Sequence, residues 1–221
     1  MPCAKAIPAY LFPLSTVAFQ WQEPGIPYTP VPFQKDMKMT GYFQSEKYFA
    51  HHRTSLLELF QPISRDLKYI QKKYASIVNH PQTVGIQIRH YFEDPNGEIY
   101  IQYGKDYLEK AMALFPKSVL FIVSSNNIAF ARQNIRAAEN VIFLENEPHY
   151  IDFYLLSMCK SIIITNSTFG WWAAWLNQNP EKIVIRPKKW LNGGYPDQGI
   201  CPESWVSLDA KKGCYKDPRS Y

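Results

Sequence analysis

The chain has 221 residues, of which 46% are hydrophobic, 19% are charged and 15% are aromatic, and its formal net charge is +5. These values are typical of a globular protein and exclude a disordered chain, and the length suits one α/β domain or slightly more. The sequence has no lysine- or arginine-rich block and no apolar run of about 20 residues, so we expect neither a nucleic-acid partner nor an integral membrane segment.

The predicted elements change in character along the chain. Residues 1–33 carry seven prolines, which disrupt helices and strands, and residues 40–80 keep the apolar spacing of helices. From residue 83 onward, short strands alternate with helices. The predicted strands are 83–89, 119–123, 141–144, 162–164 and 183–185, and the predicted helices are 106–115, 127–136, 149–160 and 169–177. This alternation is typical of a doubly wound, Rossmann-like parallel sheet of the α/β class.

This pattern divides the chain into three parts. Residues 1–80 are a proline-rich and helical region, residues 81–210 are a Rossmann-like nucleotide-binding domain, and residues 211–221 are a tail. Cys159 lies in an apolar helical run, so we expect it to be a core residue, and we expect the same of most tryptophans in residues 168–176.

Polar side chains follow four of the predicted strands, at the point where each strand ends. The clusters are Arg89, Ser124–Asn127, Glu145–Glu147 and Thr165–Thr168. Ligands of open parallel sheets bind beyond the carboxyl ends of the strands. We therefore expect these four clusters to lie along one ligand-binding edge.

The cluster before the tryptophan-rich helix indicates a phosphate site. Asn166, Ser167 and Thr168 lie between a strand and this helix, where a serine or threonine is expected to cap the helix. A helix N-terminus offers N–H groups and partial positive charge to an anion, and Arg89 adds a planar two-pronged donor. The combination predicts a pyrophosphate clamp, although an ordinary helix cap without a ligand is the alternative.

Several common motifs are missing from the sequence. It lacks the glycine-rich GxGxxG and GxxxxGK[ST] loops, the GxSxG nucleophile turn, the HExxH zinc motif and any Asp-x-Asp pair. We therefore expect no metal and no bound cofactor. Residues Glu145 and Glu147 are able to hold a cation, but an exposed turn with two acids is the favoured interpretation.

Residues 162–176, with the sequence IIITNSTFGWWAAWL, closely resemble the signature of the bacterial α-1,2-fucosyltransferases, glycosyltransferase family 11. Other segments resemble the family in the same order along the chain, and together they extend from about residue 40 to residue 208. These segments are 41–49, 84–89, 121–127, 152–160 and 183–190.

The resemblance implies a GT-B-like fold and an inverting, metal-independent transfer of fucose from GDP-fucose to the 2-hydroxyl of a galactoside. By the same resemblance, Arg89 binds the diphosphate, and Asp152 and Asn126 help to hold the guanosine. The residues that border the phosphates by this resemblance are Ser167, Thr168 and Phe169, and the helix-cap argument adds Asn166 to the donor-binding residues. The partners implied are a GDP-sugar donor and a galactose-containing glycan acceptor.

The reaction also needs a group that accepts the proton of the acceptor hydroxyl. Glu93 and Asp94 are the candidates, and the alternative for both is a solvated turn that continues through Gly97. Asp152 has an alternative role too, as a favourable negative charge in the first turn of a helix.

Three departures from the family pattern leave other functions open. Gln87 stands where the family has histidine, Asn126 and Asn127 replace an acidic pair, and the family's glycine-rich N-terminal segment is absent. Residues 1–80 are then a remnant of the acceptor-side half. The alternatives are an inactive GDP-sugar-binding protein, or a transferase for another GDP-sugar or acceptor. The expected compartment is the cytoplasm, including its membrane surface, or the Golgi lumen for a fragment of a eukaryotic enzyme.

Overall fold

A computed structural model describes residues 19–94, 97–209 and 215–216. The chain divides into two compact units, one built from Met1–Gln61 and Pro196–Pro202 and the other from Pro62–Tyr195 and Glu203–Tyr221. Part of the predicted proline-rich region and most of the predicted tail lie outside the described residues. Within the described ranges, no helix is both long enough and apolar enough to cross a membrane.

The first unit is arranged around a buried glutamate. Strands β1 (Phe19–Gln22) and β2 (Met37–Thr40) pair in parallel, and two 3-10 turns and helix α1 (Arg53–Leu59) follow. Glu23 accepts hydrogen bonds from the backbone N–H groups of Tyr42 and Phe43 at 2.7 and 3.0 Å. A Cβ atom at Gly41 would lie 2.4 Å from the Glu23 Cβ atom, so only glycine fits this turn. Glu23 therefore fixes the turn at residues 41–43, at the start of the segment that resembles the family.

The second unit alternates strands with helices in the predicted order. Its helices are α2 (Ser64–Lys73), α3 (Ala75–Val78), α4 (Lys105–Met112), α5 (Ile128–Asn134), α6 (His149–Met158) and α7 (Thr168–Leu176). Its strands are β3 (Thr83–Ile88), β4 (Leu120–Ser125), β5 (Val141–Phe143), β6 (Ser161–Ile164), β7 (Val184–Pro187), β8 (Val206–Leu208) and β9 (Tyr215–Lys216). The first five strands of this unit correspond to the five predicted ones, with ends that differ by one or two residues.

The sheet of the second unit has the order β5-β4-β3-β6-β7-β8-β9. All neighbouring strands pair in parallel except β8 and β9, which are antiparallel. The chain winds outward from β3 through β4 to β5 and then returns to the other side of β3 as β6. The predicted doubly wound, Rossmann-like α/β fold is therefore confirmed, and its topological switch point lies between β3 and β6.

The alternation of side chains along β3 separates the two faces of the sheet. Val84, Ile86 and Ile88 belong to the core that contains α4 and α5. Gly85 points the other way, where a Cβ atom would lie 2.9 Å from a methyl group of Leu156 on α6. The second core, on the α6 side, includes Cys159, which is 2% exposed, so the prediction that it is a core residue is confirmed.

Candidate functional site

The loops after β3 and β6 are joined to each other at the switch point. The Arg89 N–H donates a hydrogen bond to Thr165 Oγ1 at 3.0 Å, and the Thr165 N–H donates one to the Gln87 carbonyl at 3.1 Å. The Tyr91 hydroxyl donates to the Asn166 carbonyl. These bonds place the backbone of Arg89 beside the residues that lead into α7. Two of the predicted phosphate-binding elements thus come from adjacent loops.

Three side chains hold the backbone of residues 89–91, which we call the Arg89 turn. Thr165 accepts from the first N–H. The side-chain amide of Gln102 donates to the Arg89 carbonyl at 3.0 Å and accepts from the Tyr91 N–H at 3.1 Å. The amide of Asn126 accepts from the His90 N–H and donates to the His90 carbonyl, each at 2.8 Å. Five successive backbone groups are satisfied, so the turn has a defined shape.

This arrangement gives Asn126 a role in the structure other than the predicted contact with guanosine. Both the oxygen and the nitrogen of its side-chain amide are used by His90. Asn127, the next residue, caps α5 by accepting from the Phe130 N–H at 3.1 Å. The pair that replaces two acids of the family pattern therefore fixes backbone at the ends of β3 and β4.

The Arg89 side chain reaches the exposed edge of the turn. Its guanidinium lies 2.5 Å from Glu93 Oε1 and 5.5 Å from the centre of the Tyr91 ring. Arg89 is about one-third exposed, with a side-chain exposure of 35%. A group with this exposure is accessible to a ligand, and Glu93 is an anion that a diphosphate can replace.

The start of α7 has the predicted position but lacks the predicted cap. Ser167 occupies the N-cap position, and its side chain makes no capping hydrogen bond. Thr168 is exposed and Phe169 is half-buried, with its ring centre 5.4 Å from that of Phe153. A capping hydroxyl would occupy N–H groups that a phosphate needs, so the absence of this bond suits an anion site at this helix end.

Asn166 and Gln87 lie below the edge of the sheet. Asn166 is 2% exposed and donates a hydrogen bond to the Trp190 carbonyl at 2.9 Å, so it ties the loop before α7 to the segment after β7. Gln87 is 4% exposed and packs against α7, where a Cβ atom at Gly170 would lie 2.6 Å from Gln87 Oε1. The residue that replaces the family histidine therefore packs beneath the helix.

Asp152 lies in the first turn of α6, near the end of β4. One of its carboxylate oxygens accepts a hydrogen bond from the Ser124 hydroxyl at 2.7 Å. The other oxygen is buried and has no hydrogen-bond partner in the described part of the chain. Burial raises the pKa of the Asp152 carboxyl above its ordinary value. Desolvation thus outweighs the hydrogen bond from Ser124 in setting this pKa, and the second oxygen is left for a ligand that donates hydrogen bonds.

The two predicted proton acceptors have different surroundings. Asp94 accepts three backbone hydrogen bonds, from the N–H groups of Glu98, Ile99 and Tyr100 at 2.7–3.0 Å, and these bonds lower its pKa. Asp94 therefore shapes its own loop. Glu93 is exposed, and a hydrogen bond from its own backbone N–H, followed by the bond from Arg89, lowers the pKa of its carboxyl.

The acidic turn after β5 is more buried than its sequence indicates. Glu145 pairs with Arg132 at 3.0 Å, as expected of an exposed acid. The side chain of Glu147 is only 2% exposed, so the prediction of an exposed turn is wrong for this residue. Its carboxylate accepts hydrogen bonds from Tyr69, Lys73 and Tyr74. The described residues contain no group of three or more side chains suited to a metal ion.

The sequence matches the model of a protein family described as Glycosyl transferase family 11 over residues 15–209. The chain belongs to glycosyltransferase family 11. This confirms the family that the sequence resembles. Its segments at 84–89, 121–127 and 162–176 are therefore family segments, and in the structure they form β3, β4 and the β6–α7 unit around the switch point.

Named relatives share about a third of the aligned residues. The chain is 33% identical to the O-antigen biosynthesis glycosyltransferase WbnK of Escherichia coli, over 76% of this chain and 59% of the relative. It is 29% identical to an alpha-1,2-colitosyltransferase of Escherichia coli, over 78% of this chain and 63% of the relative. It is 31% identical to galactoside alpha-(1,2)-fucosyltransferase 2 of Rattus norvegicus, over 94% of this chain and 61% of the relative.

The chain thus spans about three fifths of the length of these curated relatives. Among solved structures, a mutant of Arabidopsis thaliana FUT1 in complex with GDP is similar, with 18% identity and a TM-score of 0.43. That similarity covers 75% of this chain and 47% of the Arabidopsis chain.

Proposed function

We propose that this family 11 glycosyltransferase chain binds GDP-fucose and transfers fucose, with inversion, to the 2-hydroxyl of a galactoside in a glycan. The observation that carries the proposal is the position of Arg89, in a turn with five bonded backbone groups beside the uncapped start of α7. A guanidinium and helix N–H groups at a topological switch point are suited to a diphosphate. The galactoside alpha-(1,2)-fucosyltransferases among the relatives support the sugar and the linkage.

In the proposed mechanism, the diphosphate replaces Glu93 on the Arg89 guanidinium. As the bond between fucose and the β-phosphate oxygen breaks, its electron pair stays on that oxygen. Arg89 and the N–H groups of Thr168 and Phe169 stabilise the growing charge more strongly than they stabilise the bound donor, whereas the Ser167 N–H already donates to the Thr165 carbonyl at 2.8 Å. The unpartnered oxygen of Asp152 accepts N–H donors of the guanine base. No metal ion takes part in this scheme, which is consistent with the lack of an Asp-x-Asp pair.

The same exchange supplies a proton acceptor. Once the diphosphate occupies Arg89, the carboxylate of Glu93 loses its partner and is free to take the proton of the attacking hydroxyl. Asp94 is less suited to this role because three backbone N–H groups already use its oxygens. We therefore assign the base to Glu93 rather than to Asp94.

The function is tested by measuring GDP release from GDP-fucose with and without lactose, in buffer that contains EDTA. We expect release that depends on lactose and a product with fucose on the galactose 2-hydroxyl, read by NMR. GDP binding without any release would favour the inactive binding protein. Turnover that requires added Mg²⁺ or Mn²⁺ would contradict the metal-free mechanism.

The colitosyltransferase among the relatives favours a second candidate, transfer of a different sugar from a GDP donor. A panel of GDP-sugars with the same acceptor separates the two candidates. Faster turnover with another donor than with GDP-fucose would replace the fucosyl assignment and leave the rest of the mechanism in place.

A further inference from the structure

A cavity of about 630 Å³ opens beside the Arg89 turn, within the second unit. Its walls come from three segments: residues 101–107 before and in α4, residues 188–192 after β7, and residues 208–209 at the end of β8. It therefore lies at the carboxyl ends of β7 and β8, on the edge of the sheet where ligands bind. Its volume falls within the roughly 300–1,000 Å³ of ordinary ligand pockets.

The inner part of this cavity is apolar. Ile101, Tyr103, Tyr107 and Leu208 line it, and the two tyrosines and the leucine are buried. The Tyr103 hydroxyl donates to the Lys189 carbonyl at 2.7 Å, and the Tyr107 hydroxyl donates to the Ile164 carbonyl at 2.6 Å. Because both hydroxyls are used elsewhere, these side chains offer the cavity mainly carbon surface, which suits the C–H face of a sugar ring.

The charged side chains of the lining carry a small net positive charge. Three exposed lysines, Lys105, Lys188 and Lys189, line the cavity together with two aspartates, Asp106 and Asp209. Asp209 pairs with Lys188 at 3.2 Å. Lys189 forms no ion pair with any carboxylate in the part of the chain that the structure describes. The lining thus contains a cation that a negatively charged ligand can pair with.

The cavity shares one residue with the proposed site of transfer. Gln102 lines the cavity, and its amide group bonds the Arg89 carbonyl and the Tyr91 N–H. A ligand that contacts Gln102 therefore lies one side chain away from the backbone of Arg89. None of the residues that the proposed mechanism assigns to the donor lines the cavity.

We propose that this cavity binds an acidic sugar unit of the acceptor glycan, with its carboxylate or phosphate at Lys189 and its ring against the tyrosine-lined wall. The proposal rests on the proposed function, since it assigns part of the acceptor to a place beside the transfer site. It adds a substrate class, because it predicts that acceptors with a negatively charged sugar near the galactose bind better than neutral ones.

The test compares two disaccharides that differ only in charge, glucuronic acid linked to galactose and glucose linked to galactose. Their binding is measured by NMR titration on the wild-type chain, with and without GDP, and on Lys189→Gln. We expect the acidic probe to bind at least fivefold more tightly than the neutral one to the wild type. Lys189→Gln removes this preference and leaves the neutral probe and GDP unaffected. Lys117→Gln, an exposed lysine outside the cavity, is the matched control.

Equal affinity of the two probes for the wild type, or an unchanged preference in Lys189→Gln, would overturn the proposal. Inorganic phosphate and galactose phosphate are titrated as well. Phosphate that binds as tightly as either acidic sugar would also overturn it, because the site would then recognise the anion alone. A wild-type chain that binds the acidic probe but not GDP would contradict the proposed function and leave the cavity assignment standing.

Discussion

The two ends of the proposed donor site are built in opposite ways. At the diphosphate end, the backbone groups of the Arg89 turn are held by Thr165, Gln102 and Asn126. At the guanosine end, Asp152 has a single hydrogen bond, from Ser124, and a buried oxygen without a partner among the described residues. The backbone groups at the first place are bonded in the free protein, whereas the proposal gives the Asp152 oxygen at the second place a partner only when a ligand binds.

This difference suggests that the Arg89 turn positions the diphosphate-binding cation, while Asp152 recognises the N–H donors of the ligand. A turn with five bonded backbone groups holds the backbone of Arg89 in one place, so little backbone ordering is required when the diphosphate binds. A buried carboxylate oxygen without a partner destabilises the free protein, and a ligand with N–H donors removes that penalty. We therefore expect substitutions at the first place to change geometry and those at the second to change selectivity and pH dependence.

The largest effect is expected from Arg89→Ala, which removes the cation at the diphosphate end. Loss of two charge-assisted hydrogen bonds, each worth roughly 1.5–3 kcal/mol, weakens GDP binding by about 100-fold or more. Calorimetry measures the affinity, and circular dichroism confirms the fold. Arg132→Ala, which removes the exposed arginine paired with Glu145, serves as the control and leaves GDP affinity unchanged. Equal affinities of the Arg89 variant and the wild type would refute the diphosphate clamp.

The next effect is expected from Thr165→Val, which keeps the side-chain shape but removes the acceptor of the Arg89 N–H. Thr165 is fully buried, so the Arg89 N–H loses its buried acceptor, and unfolding requires about 1–3 kcal/mol less free energy. Urea unfolding measures this loss. Thr165→Ser keeps the hydroxyl, so we expect its GDP affinity to stay close to the wild-type value. A valine variant as stable as the wild type would show that this bond does not support the turn.

Asp152→Asn is expected to weaken GDP binding by about tenfold, because a charged acceptor is replaced by a neutral one. The wild-type affinity falls as the pH drops toward the raised pKa of Asp152, and the variant lacks this dependence. The stability of the fold changes in the opposite sense to the GDP affinity as the pH falls. A carboxyl with a raised pKa binds its proton more tightly in the folded state, so it destabilises the fold at neutral pH and ceases to do so in acid.

The asparagine variant therefore melts at a higher temperature than the wild type at pH 7, and the difference disappears below the pKa of an unfolded aspartate. Asp106→Asn, another substitution in the first turn of a helix, is the comparison. If Asp152 acted mainly on the helix dipole, both variants would melt below the wild type at neutral pH.

The smallest effect is expected from Glu93→Gln. Without the carboxylate that occupies Arg89, GDP binds about threefold more tightly, in keeping with the small energies of exposed ion pairs. Turnover falls, because the proposed base is lost, so affinity and rate move in opposite directions. Glu98→Gln removes a nearby exposed acid and changes neither. Full turnover in the Glu93 variant would exclude this residue as the base.

The sequence predicts the doubly wound sheet well because short apolar strands and intervening helices are local patterns. It also predicts that Arg89 and Thr165–Thr168 share an edge, since the ends of parallel strands meet there. It does not reveal Gln102, which lies in no motif and bonds to residues 11 and 13 positions away. It also misses the burial of Glu147, since its three partners, on α2 and just after it, are more than 70 positions away.

The Glu147 contacts determine how the protein tolerates shortening. Helices α2 and α3 precede the first strand of the large sheet, and Ile70 and Ile77 on them belong to the core with α6. An expression fragment that starts at residue 81 would lose Tyr69, Lys73 and Tyr74 together and leave a carboxylate without hydrogen bonds a few residues from Asp152. A fragment that starts near Pro62 keeps these partners, and it is the better choice for isolating the second unit.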